Sequence, residues 1–325
     1  MIPQKLHKGD GVRVISPARS LGILSPGLID VANKRFSELG YSVSFGQHAA
    51  ERDEQDSSPI HSRIEDLHNA FNDPSVKIIF TTIGGFNSNQ LLQYIDYELI
   101  KNNPKIFCGY SDITALANAI YTKTGLVTYS GPHYSSFGEK HYFEYTQEYF
   151  EKCVLNLDPF FIYPSKEWSK DRWHKDQENR NTIKNEGYWT INEGKASGTV
   201  IGGNLCTLNL LQGTEYMPDL NNTILFIEDD SLSNYSIFDR DLVSLMQQPN
   251  FGGVKGIIIG RFEKDSEILE EDVRRLIQSK KELAGIPVIA NVDFGHTDPR
   301  ITFPIGGTAE IIAEKNDSKI QIINH

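Results

Sequence analysis

The chain has 325 residues, 39% of them hydrophobic, which is enough for a sizeable core and for two domains. Its 32 Lys and Arg residues against 43 Asp and Glu residues give a net charge of −11, which argues against binding to nucleic acid polymers through their phosphates. Three cysteines without a C-x-x-C pair argue against a disulfide framework, and the lack of a signal peptide or a long apolar run predicts a cytoplasmic protein without membrane contact.

Strand-like and helix-like segments alternate along the first half of the chain. The predicted strands cover residues 11–15, 42–45, 76–82, 106–108 and 127–129. The predicted helices cover residues 26–39, 60–71 and 89–95, with a fourth that follows residue 112 and stops before Gly125. This alternation is typical of an α/β fold with a doubly wound, mainly parallel sheet, in which sites collect at the carboxyl ends of the strands.

The middle of the chain lacks this periodicity. Residues 164–186 are polar and aromatic, and we expect them to form a linker and an ordered surface loop. They separate a predicted N-terminal domain, residues 1–163, from a predicted C-terminal domain, residues 187–325.

The second half again combines strands and helices. Strands are predicted at residues 198–201, 224–227, 254–259 and 288–290, helices at 205–211, 237–246 and 267–281, and a closing hairpin at 308–313 and 319–323.

The segment around Ser111 carries the strongest chemical signal. The buried strand 106–108 ends at Gly109, and helical spacing begins directly after Ser111 and Asp112. A serine on such a strand-to-helix turn has the geometry of a nucleophile elbow, and the helix N-terminus stabilises developing negative charge. The pattern is not G-x-S-x-G, because Ile113 stands at the second glycine, and a capped helix start is the alternative interpretation.

A serine nucleophile needs a base, and the base needs an acid that holds it in place. Two of the nine histidines follow predicted strands in loops, namely His296 and His133. Glu228 ends the apolar strand 224–227, where a carboxylate is costly without a partner, so it is the candidate acid. A solvated turn residue is the alternative for Glu228. The order Ser111, Glu228, His296 is that of the α/β-hydrolases.

An oxyanion hole needs backbone N–H groups aimed at the developing charge. Asp112, at the helix start, and Gly85, after a buried strand, are the candidate donors. Gly84 and Gly85 would also allow a substrate to approach the backbone closely, although an ordinary glycine turn is the alternative.

Two further residues at strand ends, Asn204 and Arg261, are candidates for lining the cleft. Arg261 has the chemistry to pair with a substrate carboxylate or phosphate, with a structural ion pair as the alternative. The sequence contains no P-loop, no G-x-G-x-x-G after the first strand and no H-E-x-x-H, so we expect no metal and no cofactor.

Five motifs together carry a family resemblance. They are TTIGGFNSNQLL (81–92), GYSDITAL (109–116), GGNLCTL (202–208), ILFIEDD (224–230) and DFGHTDP (293–299). With these motifs in this order, the chain resembles the LD-carboxypeptidase family of serine peptidases along nearly its whole length. The resemblance implies an N-terminal α/β domain, a C-terminal α/β or β-rich domain and an active site in the cleft between them. Carried over, the triad is Ser111, Glu228 and His296, with Gly85 and Asp112 as oxyanion donors.

The family has two branches that differ in substrate. One removes the terminal D-alanine from muropeptide tetrapeptides in peptidoglycan recycling, and the other, the microcin C immunity branch, cleaves the bond between an aspartyl residue and a modified nucleotide. The stretch with Trp168 and Trp173 resembles the extended loop of the second branch, where aromatic rings can stack on a nucleobase. Packing of the loop is the alternative role for both tryptophans. The resemblance thus implies a self-immunity enzyme for peptidyl-nucleotide antibiotics that acts as a homodimer.

Two other classes of protein remain open from the sequence. One is a two-domain binding protein for small ligands without catalytic activity. The other is an amidotransferase-like enzyme that uses Cys108, although a thiol inside an apolar strand is expected to be inert.

Overall fold

The computed structural model describes residues 1–325, apart from the side chain of Lys264. The strands are β1 (Gly11–Ile15), β2 (Ser42–Phe45), β3 (Val76–Thr81), β4 (Ile106–Gly109), β5 (Thr128–Ser130), β6 (Phe160–Ile162), β7 (Glu167–Trp168), β8 (Ile183–Lys184), β9 (Trp189–Asn192), β10 (Gly194–Asn204), β11 (Thr223–Glu228), β12 (Gly256–Gly260), β13 (Val288–Val292), β14 (Phe303–Ile305), β15 (Thr308–Ala313) and β16 (Lys319–Asn324). The α-helices are α1 (Pro26–Glu38), α2 (Ile60–Asn72), α3 (Tyr97–Asn102), α4 (Thr114–Thr124), α5 (Glu144–Leu155), α6 (Leu205–Asn209), α7 (Tyr235–Met246) and α8 (Glu270–Gln278).

The first sheet is mainly parallel, as predicted. Its strand order is β14-β5-β4-β3-β1-β2, and only the edge strand β14 runs antiparallel to its neighbour. Strands β3 and β4 are buried along almost their whole length, as expected for parallel strands that are covered on both faces. The predicted α/β class is therefore confirmed for this half of the chain.

The second sheet is larger and richer in antiparallel pairs. Its order is β6-β16-β15-β10-β11-β12-β13-β9, with a parallel centre from β10 to β13 and antiparallel strands on both sides. The predicted closing hairpin is present as β15 and β16. This β-rich sheet confirms the expectation for the C-terminal half.

The two sheets exchange strands across the predicted domain limits. Strand β6, which precedes residue 163, pairs with β16 in the second sheet, and β14 pairs with β5 in the first. The division at residues 163 and 187 thus remains a prediction. The predicted surface loop 164–186 contains the short hairpin of β7 and β8.

Two predicted helices differ in the structure. Residues 89–95 were expected to be helical, and a 3-10 helix covers Ser88–Tyr94. The helix expected over 267–281 is shortened to α8, which begins after Leu269, where the Asp272 carboxylate accepts a hydrogen bond from the Leu269 N–H. Three acidic residues then fill the first turn of α8, where they stabilise the helix dipole.

The carboxyl ends of strands from both sheets meet at one cleft. Strand β3 leads to Gly84, β4 leads to Ser111, β11 ends at Glu228, and β13 leads to His296. The hydrogen bonds described below join these strand ends, so the cleft lies between the two sheets. Among the described residues, no helix has the length and apolar character needed to cross a bilayer.

Candidate active site

Ser111 lies on a sharp turn between β4 and α4. A single 3-10 turn, Ser111–Ile113, connects the end of the strand to the helix. The φ angle of Ser111 is 60°, in the left-handed region that residues with a side chain seldom adopt. Backbone strain of this kind, at a strand-to-helix turn, is typical of a nucleophile elbow.

Ser111, His296 and Glu228 form a continuous chain of hydrogen bonds. His296 Nε2 lies 3.0 Å from Ser111 Oγ, and His296 Nδ1 lies 2.8 Å from Glu228 Oε2. When the Nδ1–H group donates to the carboxylate, Nε2 is free to accept the serine proton. The arrangement can therefore activate a hydroxyl nucleophile through a base that an acid holds in place.

The charge of Glu228 sets the basicity of His296. Burial by itself lowers the pKa of His296, but the charge and the hydrogen bond of Glu228, together with the charge of Asp230, outweigh burial, so the pKa of His296 is raised. Glu228 is only 3% exposed. Gly295, with φ of 104°, packs so closely on the acid that a Cβ atom there would lie 2.6 Å from Glu228 Oε2. Glycine at position 295 therefore allows the carboxylate to reach His296.

The predicted oxyanion donors lie on two segments that a buried carboxylate ties together. Asp112 Oδ2 accepts hydrogen bonds from the Asn87 N–H at 3.1 Å and the Ser88 N–H at 3.0 Å. The Ser88 hydroxyl donates back to the Asp112 carbonyl oxygen at 2.7 Å. These contacts fix the segment that follows Gly85 against the turn that carries Ser111. The N–H of Asp112 lies in the first turn of its helix, where amides have no acceptor within the helix.

Gly84 packs directly on the Ser111 side chain. A Cβ atom at position 84 would lie 3.0 Å from both Cβ and Oγ of Ser111. The backbone of Gly84 is outside the left-handed region, so only the space beside Ser111 requires glycine.

We expect Gly84→Ala to lower kcat by about 10²-fold, because the added methyl group displaces the serine hydroxyl from His296. Thermal unfolding should change little, since the backbone accommodates alanine. Gly252→Ala is the matched control, because a Cβ atom at position 252 would have no atom of the described residues within 4 Å. Steady-state kinetics and melting temperatures of both variants check the prediction, and wild-type kcat in Gly84→Ala would contradict it.

Two neighbouring pockets lie at the cleft, and Ser111 and His296 line the first of them. The first, of about 360 Å³, is lined by Arg19, Ile83, Gly84, Gly85, Phe86, Tyr110, Ser111, His133, Asp230, Ser231, Leu232 and His296. The second, of about 530 Å³, shares Arg19, Ile83 and Tyr110 with the first and is also lined by Trp173 and His174. The structure thus places Trp173 in a pocket that shares three lining residues with the pocket of Ser111.

Arg19 and Tyr110 are among the residues of these pockets that sequence reasoning missed. Arg19 follows β1, and its place near the carboxyl end of a parallel strand is the signal that could have found it. Tyr110 directly precedes Ser111, and its ring packs against Arg300, whose guanidinium carbon lies 4.3 Å from the ring centroid. No local pattern indicates that contact.

Arg261 and Trp168 lie together, away from the lining of both pockets. Arg261 is buried, and its Nη2 lies 2.8 Å from Asp293 Oδ1 in an ion pair. Its guanidinium stacks 5.0 Å from the ring centroid of Trp168. The geometry favours the structural alternatives for these two residues, and their predicted substrate contacts stay predictions.

Asn204 lies beside the relay. It ends β10 in register with Glu228, and its Oδ1 atom caps α6 by accepting from the Thr207 N–H at 3.1 Å. Its Nδ2 atom is buried and has no partner among the described residues. The predicted contact of Asn204 with substrate stays a prediction.

Cys108 is buried in β4, and burial raises the pKa of its thiol well above the usual value. The neutral thiol is a poor nucleophile. Of the described side chains, Cys206, Asp229 and Asp230 form the one group whose metal-ligating atoms lie within 4.8 Å of one another. Such acidic clusters are common without an ion, so this geometry assigns no metal.

Family models match both halves of the chain. A model of the LD-carboxypeptidase N-terminal domain matches residues 12–131, and a model of the LD-carboxypeptidase C-terminal domain matches residues 197–311. The chain belongs to the LD-carboxypeptidase family. The resemblance that the motifs indicated is therefore confirmed.

Relatives in this peptidase family cover most of the chain. YocD of Bacillus subtilis (strain 168), named as a carboxypeptidase, is 58% identical over 325 residues, the full length of both chains. The microcin C7 self-immunity protein MccF of Escherichia coli is 36% identical over 287 residues, 82% of this chain and 80% of its own. A protein of Bacillus subtilis (strain 168) named as a probable murein peptide carboxypeptidase is 32% identical and covers 96% of this chain and 92% of its own.

Solved structures of family members share the fold. The crystal structure of an MccF-like protein from Bacillus anthracis superposes with a TM-score of 0.99 at 59% identity and covers 100% of both chains. MccF in complex with aspartyl sulfamoyl adenosine superposes with a TM-score of 0.90 at 31% identity and covers 100% of this chain and 99% of its own.

Proposed function

We propose that this protein is a serine peptidase that hydrolyses the amide bond of aminoacyl- or peptidyl-nucleotide antibiotics of the microcin C type. The observation that carries the proposal is the hydrogen-bonded relay from Ser111 through His296 to Glu228, at 3.0 and 2.8 Å. The family membership supports peptidase chemistry, and the MccF complex with aspartyl sulfamoyl adenosine supports a substrate of this class. The proposal includes action in the cytoplasm as a homodimer.

The proposed mechanism is acyl transfer in two steps. Ser111 Oγ attacks the scissile carbonyl carbon while His296 Nε2 takes the hydroxyl proton, and the N–H groups of Gly85 and Asp112 hold the oxyanion. Collapse of the tetrahedral intermediate breaks the amide bond, and His296 returns the proton to the leaving nitrogen. Water, deprotonated by His296, then hydrolyses the acyl-enzyme. Glu228 keeps His296 oriented and stabilises its charged form throughout.

The second pocket suits a nucleoside leaving group. Its Trp173 ring offers a stacking surface for a base, a contact that tolerates any base because each has an aromatic face. Arg19 lies between the two pockets, where its guanidinium can pair with an anionic group next to the scissile bond. In this proposal Trp173 contacts substrate, and Trp168 packs the loop against Arg261.

A second candidate function is release of the terminal D-alanine from muropeptide tetrapeptides. The 32% identity with the relative named as a murein peptide carboxypeptidase favours it. The proposed relay would perform the same chemistry on either substrate, so the pockets and not Ser111 distinguish the two.

The test gives the purified protein aspartyl sulfamoyl adenosine and a muropeptide tetrapeptide in parallel, with products followed by mass spectrometry. We expect release of aspartate from the nucleotide, at a kcat/KM at least ten times that for the tetrapeptide. Cleavage of the tetrapeptide alone would overturn the proposed substrate in favour of the second candidate. Covalent labelling of Ser111 by a fluorophosphonate separates both from a non-catalytic binding protein, which would not react.

A further inference from the structure

A second histidine lies in the pocket of Ser111 and His296. His133 follows β5, whose Ser130 is in register with Gly109 at the end of β4, so the loop after β5 runs beside the nucleophile turn. Its ring lines the first pocket although the residue is only 1% exposed. The ring of Tyr110 packs against both histidines, with centroids 4.3 Å from His133 and 5.5 Å from His296. The proposed mechanism gives His133 no role.

The two nitrogens of His133 have unequal surroundings. Nδ1 lies 2.7 Å from the hydroxyl oxygen of Thr81. Nε2 is buried and has no hydrogen-bond partner among the described residues. A buried polar atom without a partner is costly and uncommon in a folded protein, so an unused one in a pocket points to a ligand that completes it.

Nε2 faces the space beside the serine hydroxyl. A Cβ atom built on Gly84 would lie 3.6 Å from His133 Nε2 and 3.0 Å from Ser111 Oγ, so the gap that Gly84 leaves open is bounded by both side chains. Gly84 directly precedes Gly85, whose N–H is a proposed oxyanion donor. A substrate carbonyl attacked by Ser111 would therefore lie within reach of the imidazole.

His133 is suited to donate a hydrogen bond and unsuited to act as a second base. Burial, with the positive charge of Arg300 and the neighbouring His296, lowers the pKa of His133 well below its usual value, so the ring stays neutral. A neutral imidazole has one N–H, whose position the partner of the other nitrogen decides. The Thr81 hydroxyl oxygen lies 2.7 Å from Nδ1 and 3.4 Å from the Cys108 carbonyl oxygen. In the tautomer that carries its proton on Nε2, the hydroxyl donates to Nδ1.

We propose that His133 is a further catalytic residue, which donates a hydrogen bond from Nε2–H to the substrate oxygen that becomes negatively charged when Ser111 attacks. Thr81 is its positioning residue, because its hydroxyl fixes the tautomer. The inference rests on the proposed hydrolase function, and it adds a third donor to the amides of Gly85 and Asp112. Because the imidazole of His133 is neutral, it does not repel the imidazolium that His296 becomes during the reaction.

Two substitutions test the roles of the two ring nitrogens of His133 separately. The side-chain amide of asparagine reaches the position of Nδ1 and can keep the Thr81 contact, whereas that of glutamine reaches the position of Nε2. We expect His133→Asn to lower kcat for aspartyl sulfamoyl adenosine by about 10²-fold with little change in KM, as for the loss of one oxyanion donor. His133→Gln should retain kcat within about 10-fold, because its NH₂ group replaces the donor. The phosphoryl oxygen of a fluorophosphonate occupies the oxyanion position, so labelling should be slowed more in His133→Asn than in His133→Gln.

The outcomes distinguish this inference from the proposed function. If the wild-type protein reacts but both variants match it, or both lose activity equally at an unchanged melting temperature, the role of His133 is refuted and the hydrolase remains. If the wild-type protein neither reacts nor turns over substrate, the hydrolase itself fails. Imidazole ¹⁵N NMR of the wild-type protein tests the tautomer without any variant. A proton on Nε2 whose resonance shifts in the fluorophosphonate adduct supports the inference, and a proton on Nδ1 overturns it.

Discussion

Ser111→Ala is expected to lower kcat by a factor of about 10⁴ or more, because the substitution removes the only atom in the relay that can form the acyl-enzyme. Binding of the substrate should persist, since alanine is smaller than serine and leaves the pocket lining in place. We expect the backbone at this position, with φ of 60°, to keep its conformation in the variant. Single-turnover kinetics and calorimetric binding of aspartyl sulfamoyl adenosine measure the two effects separately.

The matched control for this substitution is Ser279→Ala. Ser279 directly follows α8, its hydroxyl donates to the Leu276 carbonyl oxygen at 2.8 Å, and it is not among the residues that line either pocket. We expect wild-type kinetics from the control. Retention of more than a few per cent of wild-type kcat in Ser111→Ala would contradict the assignment of the nucleophile.

Glu228→Gln is expected to combine a large fall in kcat with a shifted pH profile. Glutamine cannot stabilise the imidazolium by charge, and its NH₂ group can select the wrong tautomer of His296, so kcat should fall by about 10²- to 10⁴-fold. The base must be neutral to accept the serine proton, so kcat/KM rises with pH through the pKa of His296. Because the Glu228 carboxylate raises the pKa of His296, removal of this carboxylate should lower the pKa of His296. The acidic limb of the profile should therefore move to lower pH.

A graded comparison tests the electrostatic origin of this shift. Asp230 lines the same pocket, and its charge also raises the pKa of His296, after the contributions of Glu228. Asp230→Asn should move the acidic limb in the same direction by a smaller amount, with a modest change in kcat. Glu310→Gln, on an exposed position of β15, is the control and should leave the profile unchanged. A limb that moves to higher pH in Glu228→Gln would refute the role of the carboxylate.

Local sequence patterns predicted the elements that carry the site. Strand and helix periodicity is a local property, so a few residues are enough to show it. Short stretches of sequence therefore revealed the apolar run of β4, the change to helical spacing after Asp112 and the acid that ends β11. The candidate residues Ser111, Glu228 and His296 could be named for that reason, together with the family resemblance. The structure brings these three side chains together, and their catalytic roles remain proposals.

Element lengths were less predictable, because long-range pairing decides them. Strand β10 begins at Gly194, four residues before the predicted start, where its antiparallel partner β15 supplies backbone hydrogen bonds. Strand β14 belongs to the first sheet although its sequence neighbours belong to the second. Nothing in a short apolar segment specifies which of two sheets it joins.

The sequence by itself determined the α/β class, the strand-to-helix turn at Ser111 and the polar residues that end neighbouring strands. The tertiary structure alone decided what each polar residue faces. It buries Arg261 against Asp293, and it leaves His133 Nε2, beside Ser111, without a partner among the side chains that the structure describes. Trp168 and Trp173 are only five positions apart, yet Trp168 packs on Arg261 whereas Trp173 lines the second pocket. The physical reason is that the free energy of a buried polar group depends on partners that lie far away in the chain, which local periodicity does not encode.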